Sequence, residues 1–162
     1  MDKMRILFVC MGNICRSPTA EGVMRHMIRH AGLDDLIDVD SAGTHGYFIG
    51  APPDPRALVT AQRRGYDLSD LRGRLLVPDD FERFDLLLAM DFTNLDKLQT
   101  LCPSQYQSKV GMLMGYARKH KSPVVPDPYD RGPAEFERVL DYIEDACSGL
   151  LRALEHSSVV LG

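Results

Sequence analysis

A short apolar run in the middle of the chain, DLLLAM at 85–90, most constrains what this sequence can fold into. A strand that is apolar at successive positions is buried on both faces, which is typical of a parallel sheet covered by helices. Strand-like runs at 5–9, 37–42 and 109–114 alternate with helical patterns along the rest of the chain. We therefore predict an α/β fold in which four parallel strands lie between two layers of helices.

The helical patterns carry their own boundary signals, chiefly prolines and capping residues at the start and glycines at the end. The predicted helices run from Pro18 to Ala31, from Pro55 towards Gly65, from Pro78 to Phe81, from Asp91 to Leu101, and from Pro133 towards His156. The sequence contains no internal repeat and no linker, and its length suits one domain. We therefore expect residues 1–162 to form a single domain.

Composition and charge argue against several classes of protein. The formal net charge is −4, which indicates no general affinity for nucleic acid or acidic membranes, and no segment is long and apolar enough to span a bilayer. The N-terminal residues show no signal-peptide pattern, so we expect a cytoplasmic protein. The four cysteines do not form a disulfide framework, and we interpret Cys102 and Cys147 as structural.

The run VCMGNICRSP at 9–18 lies where the first predicted strand ends and the first predicted helix begins. Five residues separate Cys10 from Arg16: Met11, Gly12, Asn13, Ile14 and Cys15. A loop of that length can turn successive backbone N–H groups towards one anion, and the helix N-terminus behind it adds partial positive charge. A guanidinium can bind two phosphate oxygens at once. We expect Gly12 to permit a positive φ and Asn13 to tolerate one.

The same positive field acts on Cys10, whose thiol we expect to ionise easily, and the thiolate is a strong nucleophile. A nucleophile on the floor of a site for a tetrahedral anion indicates attack on a bound phosphoryl group. Ser17 has two interpretations. It is the N-cap of a helix with Pro18 at its first position, or its hydroxyl stabilises the thiolate when a cysteinyl phosphate breaks down.

A phosphomonoesterase also needs an acid that protonates the departing oxygen. Asp127 lies between two prolines that stiffen its loop and is the candidate acid, although Asp-Pro is also a common turn signal. The loop at 43–53 is rich in Gly and Pro yet carries aromatic side chains, so we expect at least one of Tyr47 and Phe48 to line a pocket. The alternative is that these side chains return to the core.

The run VCMGNICRSP resembles the signature of the low-molecular-weight protein tyrosine phosphatases, and Asp127-Pro128-Tyr129 before the terminal helix is similar to another segment of that family. The resemblance covers nearly the whole chain. It implies a flavodoxin-like, Rossmann-like three-layer sandwich. It also implies hydrolysis of phosphotyrosine in protein substrates through a cysteinyl phosphate, with neither metal nor cofactor. We further expect a monomer that binds neither nucleic acid nor membrane.

The resemblance implies a role for individual residues of this sequence. Cys10 would be the nucleophile, Arg16 the clamp on the phosphate and the transition state, and Asp127 the general acid and then the general base. The supporting residues would be Asn13 and Ser41 for the shape of the loop, Ser17 for the departing thiolate, and Tyr47, Phe48 and Tyr129 for the wall against the substrate. Cys15 would be able to form a disulfide with Cys10; the alternative is that it fills a small buried volume under the loop.

Three departures from the family pattern bear on substrate preference. Asp130 stands where many members carry a second adjacent tyrosine. The aromatic loop has Tyr47-Phe48 where a Trp is frequent, and the segment 71–74 lacks a His that some members have there. We expect these differences to change which substrates are preferred and to leave the chemistry the same.

Related scaffolds supply the alternative functions. Protein-arginine phosphatases tend to carry Thr at the position of Ile14. Arsenate reductases need a resolving pair of cysteines, and Cys102 and Cys147 are far apart in the sequence. Sugar-phosphotransfer subunits use a phosphocysteine loop without the arginine and the Asp-Pro acid. A catalytically inactive phosphotyrosine-binding module would not need the nucleophile and the acid together.

Overall fold

The computed structural model describes residues 3–157 and confirms the alternation of strands and helices. In chain order the elements are β1 (Met4–Cys10), α1 (Arg16–His30), β2 (Ile37–Gly43), α2 (Pro55–Arg63), α3 (Asp79–Arg83), β3 (Leu86–Ala89), α4 (Phe92–Leu101), β4 (Val110–Met112) and α5 (Pro133–Glu155). Two short 3₁₀ helices, Ser104–Lys109 and Leu113–Tyr116, flank β4. Helical structure follows every strand, as the crossovers of a parallel sheet require.

The four strands form one parallel sheet in the order β2-β1-β3-β4, which is a flavodoxin-like arrangement. The last residue of β1, Cys10, pairs with Gly43 at the end of β2. Parallel strands end at the same edge of the sheet, and ligands bind at that edge where the strand order reverses. The fold therefore places Cys10 at the ligand-binding edge, beside the reversal between β1 and β3.

Alternate side chains of β1 enter two separate cores. Ile6 and Phe8 belong to the core that includes side chains of α1 and α5, whereas Leu7 and Val9 belong to the core that includes side chains of α3 and α4. Successive side chains of a strand point to opposite faces of a sheet, so these cores lie on opposite faces. This arrangement confirms the predicted three-layer sandwich.

Two boundaries differ from the prediction. β4 ends at Met112 because the chain turns into a 3₁₀ helix directly afterwards. α1 begins at Arg16 with Cys15 at its N-cap, so the interpretation of Ser17 as the N-cap is wrong. The helix starts directly from the loop, which puts Ser17 in its first turn with its Oγ 3.0 Å from Sγ of Cys10.

The described residues stop short of both ends of the chain. The predicted single domain of residues 1–162 includes residues 1–2 and 158–162, which lie outside the described residues, and it stays a prediction. The last described helix, α5, ends at Glu155, close to the predicted end near His156. Within residues 3–157, no helix combines the length and the apolar character that crossing a membrane would need.

A buried carboxylate on α5 fixes the segment that follows β4. Asp145 accepts hydrogen bonds from three consecutive backbone N–H groups, those of Arg118 (3.0 Å), Lys119 (3.0 Å) and His120 (2.8 Å). Nδ1 of His120 also lies 2.9 Å from the same carboxylate. These contacts tie the backbone of residues 118–120 to α5.

These hydrogen bonds predict a pH dependence of stability. Burial opposes the charged form of Asp145, but the N–H groups outweigh it and hold the pKa of this carboxyl at about 2. A carboxyl whose folded pKa lies below its unfolded pKa stabilises the fold above the unfolded value, and this contribution is lost as the pH falls through the folded value. We expect Asp145→Asn to lower the free energy of unfolding by about 2 kcal/mol above pH ~5, and we expect this difference to shrink towards pH ~2.

Urea unfolding of both proteins across this pH range measures the difference. The matched control is Asp38→Asn, because the side chain of Asp38 is exposed and makes none of the hydrogen bonds or ion pairs found among residues 3–157. A stability difference between wild type and Asp145→Asn that stayed constant with pH would contradict the prediction.

Candidate active site

The loop between β1 and α1 directs its carbonyl groups away from the space above Cys10. Three of its carbonyls accept hydrogen bonds from the segment that follows β2: Cys10 from N–H of Thr44 (2.9 Å), Met11 from His45 (3.0 Å) and Ile14 from Asp54 (2.8 Å). By contrast, the residues of 3–157 offer no acceptor to the N–H groups of Gly12, Ile14 and Cys15. The loop therefore keeps several donors available for an anion.

The backbone turn that curls this loop occurs at Asn13. Its φ is 59°, in the left-handed region that Asn tolerates better than most residues. Gly12 does not have a positive φ, so the prediction for Gly12 is wrong. Gly12 is needed for clearance instead, because a Cβ at this position would lie 3.0 Å from the ring of Phe48.

A chain of hydrogen bonds supports Cys10 from below. The side-chain amide of Asn13 donates to Oγ of Ser17 (2.8 Å) and to Oγ of Ser41 (3.0 Å). Ser41 in turn donates to Glu21 (2.7 Å). Because Ser17 already accepts from Asn13, its own O–H is free to donate, and Sγ of Cys10 is the nearest acceptor at 3.0 Å. The predicted supporting residues therefore form one network beneath the sulfur.

The guanidinium of Arg16 is 3% exposed and is held by two acceptors. Its Nη1 donates to a carboxylate oxygen of Asp91 (2.6 Å) and to the carbonyl of Val125 (3.0 Å), and its Nη2 lies 3.7 Å from the carboxylate of Asp127. Burial lowers the pKa of Arg16, but Cys10 and the two carboxylates outweigh burial and raise the pKa above its ordinary value. Arg16 is therefore a fixed positive charge beside the sulfur.

The loop, Arg16 and the candidate acid enclose one pocket of about 140 Å³. Its lining comprises Cys10, Met11, Gly12, Ile14, Cys15, Arg16, Phe48, Asp127, Tyr129 and Asp130. The rings of Phe48 and Tyr129 form apolar walls, with their centres 6.3 Å apart. The carboxylate of Asp127 accepts the N–H of Tyr129 (3.1 Å) and stays partly exposed at the pocket mouth.

The two aromatic residues of the 43–53 loop have different positions. Phe48 lines the pocket, whereas Tyr47 lies outside the lining and is 76% exposed. The loop turns at this point, and the ring of Tyr47 stacks on His45 with a centre distance of 5.5 Å. The expectation that Tyr47 forms part of the substrate wall is therefore corrected in favour of Phe48.

The other cysteines have different surroundings. Cys15 is a buried free thiol that lines the pocket, and burial, Asp54 and Cys10 raise its pKa well above the ordinary range. It also packs with Phe136 in a small core under the loop. Cys102 and Cys147 belong to the cores on opposite faces of the sheet. A disulfide between Cys10 and Cys15 stays a prediction.

Comparison with known proteins decides the family. A protein-family model described as low molecular weight phosphotyrosine protein phosphatase matches residues 5–159. The chain belongs to this family. A protein from Synechocystis sp. that is assigned to the same family is 47% identical over 152 residues, which are 93% of this chain and 96% of that protein. The human low molecular weight phosphotyrosine protein phosphatase is 37% identical over 147 residues, which are 90% of this chain and 92% of the human protein.

Solved structures agree with this assignment. A protein tyrosine phosphatase from Entamoeba histolytica, crystallised with Hepes in its active site, is 42% identical with a TM-score of 0.92, over 94% of this chain and 97% of that chain. YfkJ from Bacillus subtilis gives a TM-score of 0.90 at 34% identity, over 96% of both chains. This low molecular weight phosphatase is therefore a protein tyrosine phosphatase and a hydrolase, as its sequence indicates.

Sequence reasoning missed several residues that contact the site of this phosphatase. Asp91 was predicted only as a helix cap; one carboxylate oxygen does cap α4 at N–H of Asn94 (2.8 Å), but the other binds Arg16. Its position directly after a buried strand, at the ligand-binding edge, was the available signal. Glu21 lies one helical turn after Ser17, on the same face, which was the signal for its part in the network.

Arg56 on α2 joins the loop of residues 11–15, which we call the phosphate loop, to the segment that carries the candidate acid Asp127. No local sequence pattern indicates this role. Its Nε and Nη2 bind the carboxylate of Asp54 at 3.0 and 2.9 Å, and the N–H of Asp54 donates to the loop carbonyl of Ile14. Its Nη1 donates to the carbonyl of Arg131 (3.3 Å), and its guanidinium lies 5.6 Å from the ring centre of Tyr129. One planar group therefore connects two catalytic segments.

We expect Arg56→Lys to slow turnover although the charge is kept, because an ammonium cannot make the forked contact with Asp54 and reach Arg131 as well. A displaced acid costs most when the leaving group is poor, so kcat on phosphotyrosine should fall about tenfold and kcat on an activated aryl phosphate should fall less. Steady-state kinetics on both substrates measure this, with Arg63→Lys on the exposed face of α2 as the control. Equal kcat values for wild type and Arg56→Lys would refute the connecting role.

Proposed function

We propose that this protein hydrolyses phosphotyrosine in protein substrates through a phosphoenzyme on Cys10. The observation that carries the proposal is that one pocket contains a buried sulfur, a fixed guanidinium and a carboxylate at its mouth. The donors of the loop and Arg16 suit a phosphate dianion, and Phe48 and Tyr129 suit the aromatic ring to which it is attached. Family membership supports the phosphotyrosine-protein substrate.

In the first step the thiolate of Cys10 attacks phosphorus, so that an S–P bond forms while the P–O bond to the tyrosine breaks. Asp127 in its acid form gives its proton to the departing phenolic oxygen. Arg16 and the loop N–H groups bind the equatorial oxygens as negative charge shifts onto them. The products of this step are a free tyrosine side chain and a cysteinyl phosphate.

In the second step water attacks the cysteinyl phosphate. A new P–O bond forms, the S–P bond breaks, and the proton of the water passes to Asp127, which now acts as a base. The sulfur leaves as a thiolate, and the O–H of Ser17, 3.0 Å away, stabilises it. The products are inorganic phosphate and the enzyme in its starting state.

Structural features also bear on the alternative functions. A reductase mechanism needs a resolving pair of cysteines that lie close to each other, and Cys102 and Cys147 lie in cores on opposite faces of the sheet. Ile14 lines the pocket, and its bulk favours an aryl phosphate over a phosphoarginine. We further propose a monomer that works in the cytoplasm, which the four free cysteines support because thiols persist in reducing compartments.

The thiolate mechanism predicts that Cys10→Ser abolishes turnover of an aryl phosphate while the protein remains folded, because serine is not ionised at neutral pH. Among residues 3–157, no three His, Cys, Asp or Glu side chains converge on a point that could hold a metal ion, so a chelator should leave wild-type turnover the same. Cys102→Ser is the matched control. Residual turnover near the wild-type rate in Cys10→Ser, with unfolding curves that coincide, would disprove the mechanism.

The acid role predicts a dependence on the leaving group. Asp127→Ala should lower kcat on phosphotyrosine about 10²- to 10⁴-fold, and the loss should be smaller on aryl phosphates with better leaving groups. Asp130→Ala is the matched control, because Asp130 lines the same pocket without a contact to Arg16. If Asp127→Ala lost the same kcat on every substrate, or if both variants lost the same amount, Asp127 would be a turn residue and not the acid.

A further inference from the structure

A second concavity lies at the same edge of the sheet as the active site. It has a volume of about 350 Å³. Its lining includes the apolar residues Phe92, Met112 and Met114 and the basic residues Arg118, His120 and Lys121. Phe92 is 57% exposed although it is a large aromatic residue. We call this concavity, defined by these six residues, the basic groove.

The basic groove carries positive charge that the protein itself leaves uncompensated. Arg118 and Lys121 are exposed, and neither side chain pairs with a carboxylate anywhere in residues 3–157. Among residues 3–157, the carboxylate that hydrogen-bonds to residues 118–121 is that of Asp145, which is buried and accepts from backbone N–H groups and contacts His120. The chain as a whole has a net charge of −4, so this local surplus of cations differs from the average surface.

The backbone of the basic groove is held in place. The three N–H groups bound to Asp145 belong to residues 118–120, and Gly149 allows α5 to contact the preceding turn closely. A Cβ at Gly149 would lie 1.8 Å from the carbonyl oxygen of Tyr116. A surface whose backbone is already ordered loses little conformational entropy when it binds a partner.

Two residues that line the concavity are close in the chain to the residues that hold Arg16. Phe92 follows Asp91, and Pro123, which also lines the concavity, comes two residues before Val125. The guanidinium of Arg16 lies 2.6 Å from the carboxylate of Asp91. Adding the length of the Asp91 side chain and the step from its Cα to the next one puts Cα of Phe92 within about 10 Å of the guanidinium. An extended peptide spans that distance in about three residues.

We propose that the basic groove binds an acidic segment of the protein substrate, a few residues away from the phosphotyrosine that occupies the active-site pocket. The proposal rests on the proposed function and adds a substrate class to it. Charge complementarity selects the occupant, because the exposed, unpaired Arg118 and Lys121 attract carboxylates, and the apolar residues of the basic groove accommodate the methylene groups of glutamate. Attraction between exposed charges acts on encounter and binding, so the effect should appear in KM more than in kcat.

The test compares matched phosphotyrosine peptides. One peptide carries a run of glutamates about three to six residues from the phosphotyrosine, and its partner carries glutamines at the same positions. Each pair is made with the run on the N-terminal and on the C-terminal side. Each kcat/KM is divided by the value that the same protein gives on a small aryl phosphate, which reports the active-site pocket alone.

Wild type should prefer the acidic peptide of one pair about tenfold at ~0.02 M salt, and this preference should fall at ~0.5 M salt because exposed charges are screened. In Arg118→Gln/Lys121→Gln the preference should fall to about twofold. The matched control is Arg29→Gln/Arg63→Gln, which removes two exposed cations elsewhere and should keep the wild-type preference. Both double variants change exposed side chains only, and the backbone contacts to Asp145 stay in place.

Two results would overturn the proposal while the proposed function stands. The first is that wild type gives equal normalised kcat/KM on acidic and neutral peptides. The second is that Arg118→Gln/Lys121→Gln and the control Arg29→Gln/Arg63→Gln give the same preference, whether both keep it or both lose it. If wild type failed to hydrolyse the small aryl phosphate as well, the proposed function itself would be wrong, and this proposal with it. Normal aryl phosphate turnover therefore distinguishes the two failures.

Discussion

The rest of the site depends on the hydrogen bonds and the ion pair that hold the buried guanidinium of Arg16. A charge that is 3% exposed is stable only with partners, and removing one partner of a buried pair typically costs about 3–5 kcal/mol. Its partners come from distant parts of the chain: Asp91 after β3, and the carbonyl of Val125 beyond β4. One side chain therefore joins the phosphate loop, the start of α4 and the segment that carries Asp127.

Beneath the sulfur, a second set of buried polar groups keeps the loop in shape. Asn13, Ser17, Ser41 and Glu21 satisfy one another, so the network stabilises one arrangement instead of leaving unpaired groups in a core. Its direction of donation matters for chemistry. Asn13 donates to both Ser17 and Ser41, and Ser41 donates to Glu21, so the O–H of Ser17 is left to donate to Cys10. The same residues are therefore structural supports and, in the mechanism proposed above, help the thiolate to leave.

The edge of the sheet carries two surfaces of different character. The pocket above Cys10 is narrow and combines a fixed cation with aromatic walls, which suits a single phosphorylated ring. The basic groove is broader and has exposed cations on an ordered backbone, which suits a flexible segment of a larger partner. Asp91 and Val125 bind Arg16, and they are one and two residues away in the chain from Phe92 and Pro123, which line the basic groove, so the two surfaces share the segments that position Arg16.

The sequence by itself determined the α/β class, the four strands, most helix ends and the loop that joins Cys10 to Arg16. These features are local. The spacing of apolar residues shows which face of a helix or strand is buried, and capping residues mark the helix ends. A nucleophile and an arginine in one short loop are close together whatever the tertiary structure. Asp127 could be named as the candidate acid from its rigid Asp-Pro segment and from family resemblance.

Only the tertiary structure decided that Asp127 comes within 3.7 Å of Arg16, that Asp91 binds the same guanidinium across 75 positions, and that Arg56 connects two segments. It also decided that Phe48 and not Tyr47 faces the pocket, and that Ser17 lies under the sulfur and not at a helix cap. The physical reason is that these contacts join residues far apart in the chain or depend on how a loop turns, and neither leaves a periodic pattern in the sequence.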